Sequence, residues 1–410
     1  MNVLITGAQF ANRGAQSMLF TVVNEVRSRY EDAEFFYLPL DYFKEECFAH
    51  CEDYRFNFVY DDLALYDYPI KYGFAGKIKR RADSKKISGR ISKYNVLHLS
   101  DIWDMIDVLV DVSGYSLTSK FGISSINRLL RHIRKAQSLG VPVIIMPQSY
   151  GPLNFGDKTE SVCKEIGETF SKIDLLFARE QEGKEVLENE CSVTNAILSP
   201  DIVLQAKEIE WENVFAEKPE LNVRRLGTSG NVGVIPNGET VKNGNKEFVL
   251  SCYKKLIEQL RGMGREVYIF RHSDDLSLCR DIYALVESDE HCHLIEDEMD
   301  CLAYGEFVKQ FDFVIASRFH SVVHAYREGI PSLVLGWAIK YQELTKLLGQ
   351  EKYAFDITKA NEEDMAAMLE KLDCMTENHA AEAKLINEKL SAVREKNCFD
   401  LCWEVMDKIC

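Results

Sequence analysis

The sequence predicts an α/β fold of two doubly wound domains in series, facing across a cleft and followed by a helical tail. Three observations carry this. Short apolar runs alternate with amphipathic stretches along the whole chain, the pattern of parallel strands covered by helices on both faces. The 410 residues exceed what one core ordinarily organises, since domains run to about 100–200 residues each. Between 205 and 230 the alternation lapses into charged residues and then Gly227-Thr228-Ser229-Gly230, a composition suited to an exposed connection.

In the first domain, residues 1–208, strands are expected over 3–6, 34–38, 107–112, 142–146, 174–178 and 196–198. Helices near 15–30, 124–139, 159–171 and 182–190 carry apolar residues at helical spacing. The stretch 43–95, rich in Tyr, Asp and Lys, reads as an irregular insertion. The second domain, 228–345, restarts the pattern with strands 231–236, 266–271, 293–296, 313–316 and 332–335. Helices at 247–262, 275–287, 302–311 and 320–328 separate them, and residues from about 340 read as helical. Two Rossmann-like domains with such a tail resemble the GT-B glycosyltransferases, and by that analogy the tail 346–410 would cross back to the first domain.

Lys and Arg number 49 against 65 Asp and Glu, a net charge of −16, with 46% hydrophobic and 28% charged residues. That composition excludes a disordered chain, and its acidity argues against nucleic acid as a partner. The start, Met1-Asn2-Val3-Leu4-Ile5-Thr6-Gly7, reads as a buried strand and not as a secretion leader. Apolar runs fall far short of the ~20 residues that cross a bilayer. Twelve scattered cysteines without a CxxC pair point to reduced thiols in a cytoplasmic protein. His291-Cys292-His293 with Cys301 lacks a second pair at ligand spacing, so no metal site is expected. The basic run Lys77-Ile78-Lys79-Arg80-Arg81 with Lys85-Lys86 could touch an anionic membrane surface, although such a run is more often a solvated face.

Ligands of open α/β sheets bind outside the carboxyl ends of the strands, so the residues after each strand are the candidates. After the first strand, Gly7 to Ala15 is a small-residue turn entering a helix, where Asn12 and Arg13 suit an anion. It is neither a Walker A loop nor GxGxxG, and a plain turn explains it as well. The third strand ends in Ser113 and Gly114, and the fourth in Pro147-Gln148-Ser149-Tyr150-Gly151-Pro152. Gln148 and Ser149 can donate to phosphate or sugar oxygens, or to the loop backbone. Arg179, closing the fifth strand, requires an anion, supplied by a ligand or by Glu180.

In the second domain Asn237 and His272 follow the first two strands, and Asp274-Asp275 reads as a helix cap. The sharper signal is Ser317-Arg318-Phe319-His320-Ser321. It sets a fork of donors and a titratable imidazole at a helix start, an arrangement suited to a dianion and its protonation. His324, one turn on, reads as a packed core histidine.

These residues resemble the polysaccharide pyruvyl transferases. The matching pieces, in order, begin with Gly7 and Asn12-Arg13-Gly14-Ala15, then Asp111-Val112-Ser113-Gly114 with Phe121-Gly122. Pro147 to Pro152, Ala178-Arg179-Glu180, Ser199-Pro200-Asp201 and His272 with Asp274-Asp275 follow. Ser317-Arg318-Phe319-His320 with Gly329-Ile330-Pro331 completes the series. Many members carry Gly-Asp where this chain has Gly14-Ala15, so no role of that acid carries over. The resemblance implies transfer of a pyruvyl group from phosphoenolpyruvate to a sugar or lipid-linked saccharide, with loss of phosphate and without a cofactor or metal. Arg318 and Arg179 would receive the carboxylate and phosphate, and His320 would act as general acid. Arg13, Asn12, Ser113, Gly114, Gln148, Ser149, Asn237, His272 and Ser321 would surround the substrates. His272 and Asp201 stand equally as the base. Two alternatives stay open: a GT-B nucleotide-sugar glycosyltransferase with Arg318 on the diphosphate, and a non-catalytic anion-binding relative. Thermal stabilisation by phosphoenolpyruvate or by sugar nucleotides separates the first from the family reading.

Overall fold

The computed structural model describes residues 1–40, 45–62, 93–206, 208–227, 229–286 and 290–410. Among them lie two all-parallel sheets. The first has strand order β4-β3-β2-β1-β5-β6-β7-β8, built from Asn2–Thr6 (β1), Glu34–Leu38 (β2), Asn57–Tyr60 (β3), Val96–His98 (β4), Val108–Asp111 (β5), Val143–Gln148 (β6), Leu175–Ala178 (β7) and Ala196–Leu198 (β8). The second has order β11-β10-β9-β12-β13-β14, from Asn231–Ile235 (β9), Glu266–Phe270 (β10), Cys292–Ile295 (β11), Phe313–Ala316 (β12), Ser332–Gly336 (β13) and Ala354–Asp356 (β14).

Alternation along β1 shows why the strands read as continuous apolar runs. Val3 and Ile5 join one buried cluster and Leu4 another, so both faces are covered. In β9, Val232 and Val234 pack on the far face, while Ile235 joins the cluster that also holds Met18 and Phe20 of the first domain. A single apolar cluster therefore runs through the contact between the two sheets.

The helix Glu362–Glu395 couples them again. At 34 residues it is about 51 Å long. Met365, Met368 and Leu372 near its start pack on the second domain, and Ile386, Leu390 and Val393 near its end join the shared cluster. The helix Phe399–Met406 then returns to the first domain, where Cys402 meets Met146 and the Cys398 N–H donates to Gln205 Oε1.

Three expectations need correction. The irregular insertion 43–95 contains β3 and ends beside β4, which extend the sheet in parallel register. The expected helical tail contains the edge strand β14, paired with β13. These strands have three or four residues, too few to show a period of two. The connection after 205 is not wholly exposed. Val214 and Phe215 are buried, and Phe215 packs edge-on to Phe20 at 5.4 Å. The basic run 77–86 and most of the insertion lie outside the described residues.

Candidate active site

Strand order reverses beside β1 and β5 in the first sheet and beside β9 and β12 in the second. The four loops leaving these strands carry Gly7 to Asn12, Ser113-Gly114, Asn237-Gly238 and Arg318 to His320, and all face one cleft of about 1870 Å³. Among the described residues its lining holds nine Lys or Arg, namely Lys120, Arg128, Arg131, Arg134, Lys158, Arg179, Lys242, Arg318 and Lys340. Among the described residues of that lining, the acids that oppose them are Glu239, Asp274 and Asp275. An acidic protein thus concentrates positive charge where its strands end.

Arg318 ends β12 and is held by Asp275, whose Oδ2 accepts from Nε at 2.7 Å and approaches Nη2 at 2.5 Å. Nη1 has no protein partner among the described residues. Asp275 Oδ1 accepts from the Gly238 N–H, so this residue, expected as a helix cap, ties three strand-end loops together and makes no cap bond.

Two residues on, His320 opens the helix Phe319–Arg327. Its ring lies against Gly14, where a Cβ would come within 2.2 Å of Cγ, so only glycine admits the imidazole. Nε2 lies 3.4 Å from Asp201 Oδ2. Burial lowers the His320 pKa, and Asp201 opposes that shift. Asp201 is fully buried, yet His320 and Arg179 overcome the burial and hold its carboxyl well below the usual range. It therefore stays ionised as an orienting partner of His320, which leaves the proposed role of general base unsupported.

Several expected ligand residues are already engaged. Arg179 donates to Glu180, Asp201, the Gly114 carbonyl and Ser149, four of its five N–H groups, with its guanidinium 4.1 Å over the Phe319 ring. It is a buried strut under the cleft and not a free anion receptor. Ser149 completes that network through Glu180 at 2.9 Å. Gln148 is fully buried, accepting from Ser116, and Ser321 donates to the Arg318 carbonyl, so all three lie behind the cleft wall.

Arg13 points away as well. Its donors reach the carbonyls of Met299 and His272 in the second domain, making it a clamp between domains. Asn12 caps the helix Arg13–Arg29 through the Gly14 and Ala15 N–H groups, and Asn237 caps Gly238–Asn243 while donating to the Ser317 carbonyl. Ser113 is fixed by Asp111 at 2.9 Å, and Gly114 at φ +66° carries the carbonyl that Arg179 and the Ser149 N–H share. His272 lines the cleft from a fully buried position. Burial and then His324 push its pKa well down, so it is neutral. His324 bonds Ser17 at 2.7 Å across the domains, as a packed histidine should.

The sequence reading missed a further group of cleft residues. Trp337, Lys340 and Tyr341 follow β13, and Tyr115 and Lys120 follow β5. Lys340 Nζ sits 4.5 Å from the Tyr115 ring centroid and 5.2 Å from that of Trp337. Burial, and then Arg179, lower its pKa to about 7. The Lys120 ammonium lies 3.7 Å over Trp337. The strand-end rule reaches these residues once β13 is followed to Gly336 and the residues after it are taken as candidates like those after the other strands.

No curated protein matches the chain in sequence. Among solved structures, UDP-GlcNAc 2-epimerase from Neisseria meningitidis bound to UDP-GlcNAc superposes with a TM-score of 0.57 at 12% identity, covering 100% of both chains. A putative UDP-N-acetylglucosamine 2-epimerase from Listeria monocytogenes gives 0.50 at 13% identity, over 94% of this chain and 90% of that one. Trehalose-6-phosphate from E. coli bound with UDP-2-fluoro glucose gives 0.50 at 10% identity, over 97% of each. At such identities the likeness establishes the GT-B-like fold. The polysaccharide pyruvyl transferase family model matches residues 12–338, which cover all four strand-end loops from Asn12 onward. The chain belongs to the polysaccharide pyruvyl transferase family, a family of transferases.

Proposed function

We propose that this chain moves the pyruvyl group of phosphoenolpyruvate onto a saccharide, closing a cyclic ketal across two hydroxyls and releasing phosphate. The observation that carries the reading is Arg318 and His320 together at the end of β12, in a cleft where cations outnumber acids. Phosphoenolpyruvate presents a carboxylate and a phosphate. Arg318, through its unengaged Nη1, and Lys340 are the cations suited to them, in place of the Arg179 expected from sequence.

His320, once protonated, delivers its proton to the methylene carbon while an acceptor hydroxyl oxygen bonds to the adjacent carbon. The neutral imidazole then takes up that hydroxyl's proton. The bond from this carbon to the phosphate oxygen breaks, its electron pair leaving with phosphate, and the second hydroxyl closes the ketal. The second proton departs on the phosphate, so donor and diol balance ketal and hydrogen phosphate. Burial disfavours the imidazolium, whereas Asp201 and a bound anion both favour it. Cysteines that stand as thiols, nine of them buried, support a reducing, cytoplasmic setting for polysaccharide biosynthesis.

Purified protein with phosphoenolpyruvate and a saccharide panel should release phosphate. Arg318→Ala and His320→Ala should each lower turnover by about a hundredfold or more while the melting temperature stays near wild type. Full turnover in both variants would contradict the assignment. Consumption of sugar nucleotides without phosphoenolpyruvate would favour glycosyl transfer.

A further inference from the structure

Phe121 is out of place for a side chain with no function. At 58% exposure it is the most exposed large hydrophobic among the described residues, and none of the others of that group is aromatic. It lines the cleft that holds Arg318 and His320. The short turn Ser119–Phe121 presents it, and Gly122, at φ +73°, turns the chain directly into the helix Ile123–Ser138. Its neighbour is fixed: Tyr115 donates to the Gly151 carbonyl at 2.7 Å and meets Phe121 edge-on at 6.0 Å. Beside this aromatic wall, Ser124, Ser125 and Asn127 line the same cleft with small hydrogen-bonding side chains.

A rigid aromatic face flanked by hydroxyl and amide groups has the chemistry that binds a pyranose. The sugar's C–H face, weakly positive, stacks on the negative ring face, and its hydroxyls find the polar neighbours. We propose that Phe121, braced by Tyr115, is the stacking platform for the acceptor saccharide, which makes it a determinant of acceptor specificity. This rests on the transferase reading above and assigns the acceptor's place within it. The platform favours pyranosides with an unbroken run of C–H groups on one face. Stacking that face leaves the hydroxyl edge free for ketal closure.

The test separates the platform from the donor chemistry by reading sugar binding without turnover. Saturation-transfer NMR is run with methyl β-galactoside, methyl β-glucoside and methyl β-mannoside on wild type, Phe121→Ala and Phe121→Trp. At least one pyranoside should receive saturation along a single C–H face from wild type and Phe121→Trp, and lose it with Phe121→Ala. In turnover, Phe121→Ala should raise the acceptor KM about tenfold, the scale of one lost stacking contact, with the phosphoenolpyruvate KM unchanged. An unchanged contact pattern in Phe121→Ala, or no saturation in wild type from any of the three sugars, would overturn the platform. Stacking in a protein that releases no phosphate would support the platform and overturn the donor reading.

Discussion

Lys340 is a cleft cation whose charge changes near neutral pH. Its pKa of about 7 follows first from burial and then from Arg179, so the ammonium is present below that pH and lost above it. A bound anion stabilises the ammonium, so binding above pH 7 draws in a proton and weakens as pH rises. The phosphoenolpyruvate KM should therefore climb above pH 7 in wild type and stay flat in Lys340→Arg, whose guanidinium does not deprotonate there. Initial-rate kinetics across pH 6–9 check this, and parallel profiles would remove Lys340 from donor binding. His320 obeys the same physics with a different partner. Burial lowers its pKa, but ionised Asp201 works against that shift.

At the scale of elements, the start of the helix Arg13–Arg29 is fitted to the second domain through one small residue. Gly14 lies in the first turn of Arg13–Arg29 and touches the His320 ring, so this one position couples a first-domain helix to the second-domain imidazole. Gly14→Ala gains about 1 kcal/mol of helix propensity but drives a Cβ into that ring. The expected result is a loss of about a hundredfold in kcat/KM from a misplaced His320, with the melting temperature little changed. Unaltered kinetics would show that the imidazole position does not matter.

The apolar strands were legible because burial on both faces writes them as continuous runs, as in Val143-Ile144-Ile145-Met146. The edge strands β3, β4 and β14 were not, since three or four residues carry no period. The same divide runs through the site. The strand-end rule found Arg318, His320, Asn12, Ser113, Gly114, Asn237 and His272, all of which line the cleft. It could not show what already occupies a donor. Arg13 is spent on backbone carbonyls far away in the chain, and Arg179 on Glu180, Asp201, Gly114 and Ser149.

Across the whole molecule, a shared apolar cluster, the Arg13 clamp and the long helix Glu362–Glu395 hold the two sheets with their strand ends toward one cleft. A net charge of −16 surrounds that cluster of cations, so the cleft is a local reversal of the protein's overall field. The central claim is that phosphoenolpyruvate reacts here by proton delivery to its methylene carbon. NMR of phosphoenolpyruvate with enzyme and acceptor in deuterium oxide tests it most directly. The account predicts inorganic phosphate together with a saccharide ketal whose methyl group carries one deuterium. Phosphoenolpyruvate left intact beside a competent acceptor, or a ketal methyl without deuterium, would contradict it.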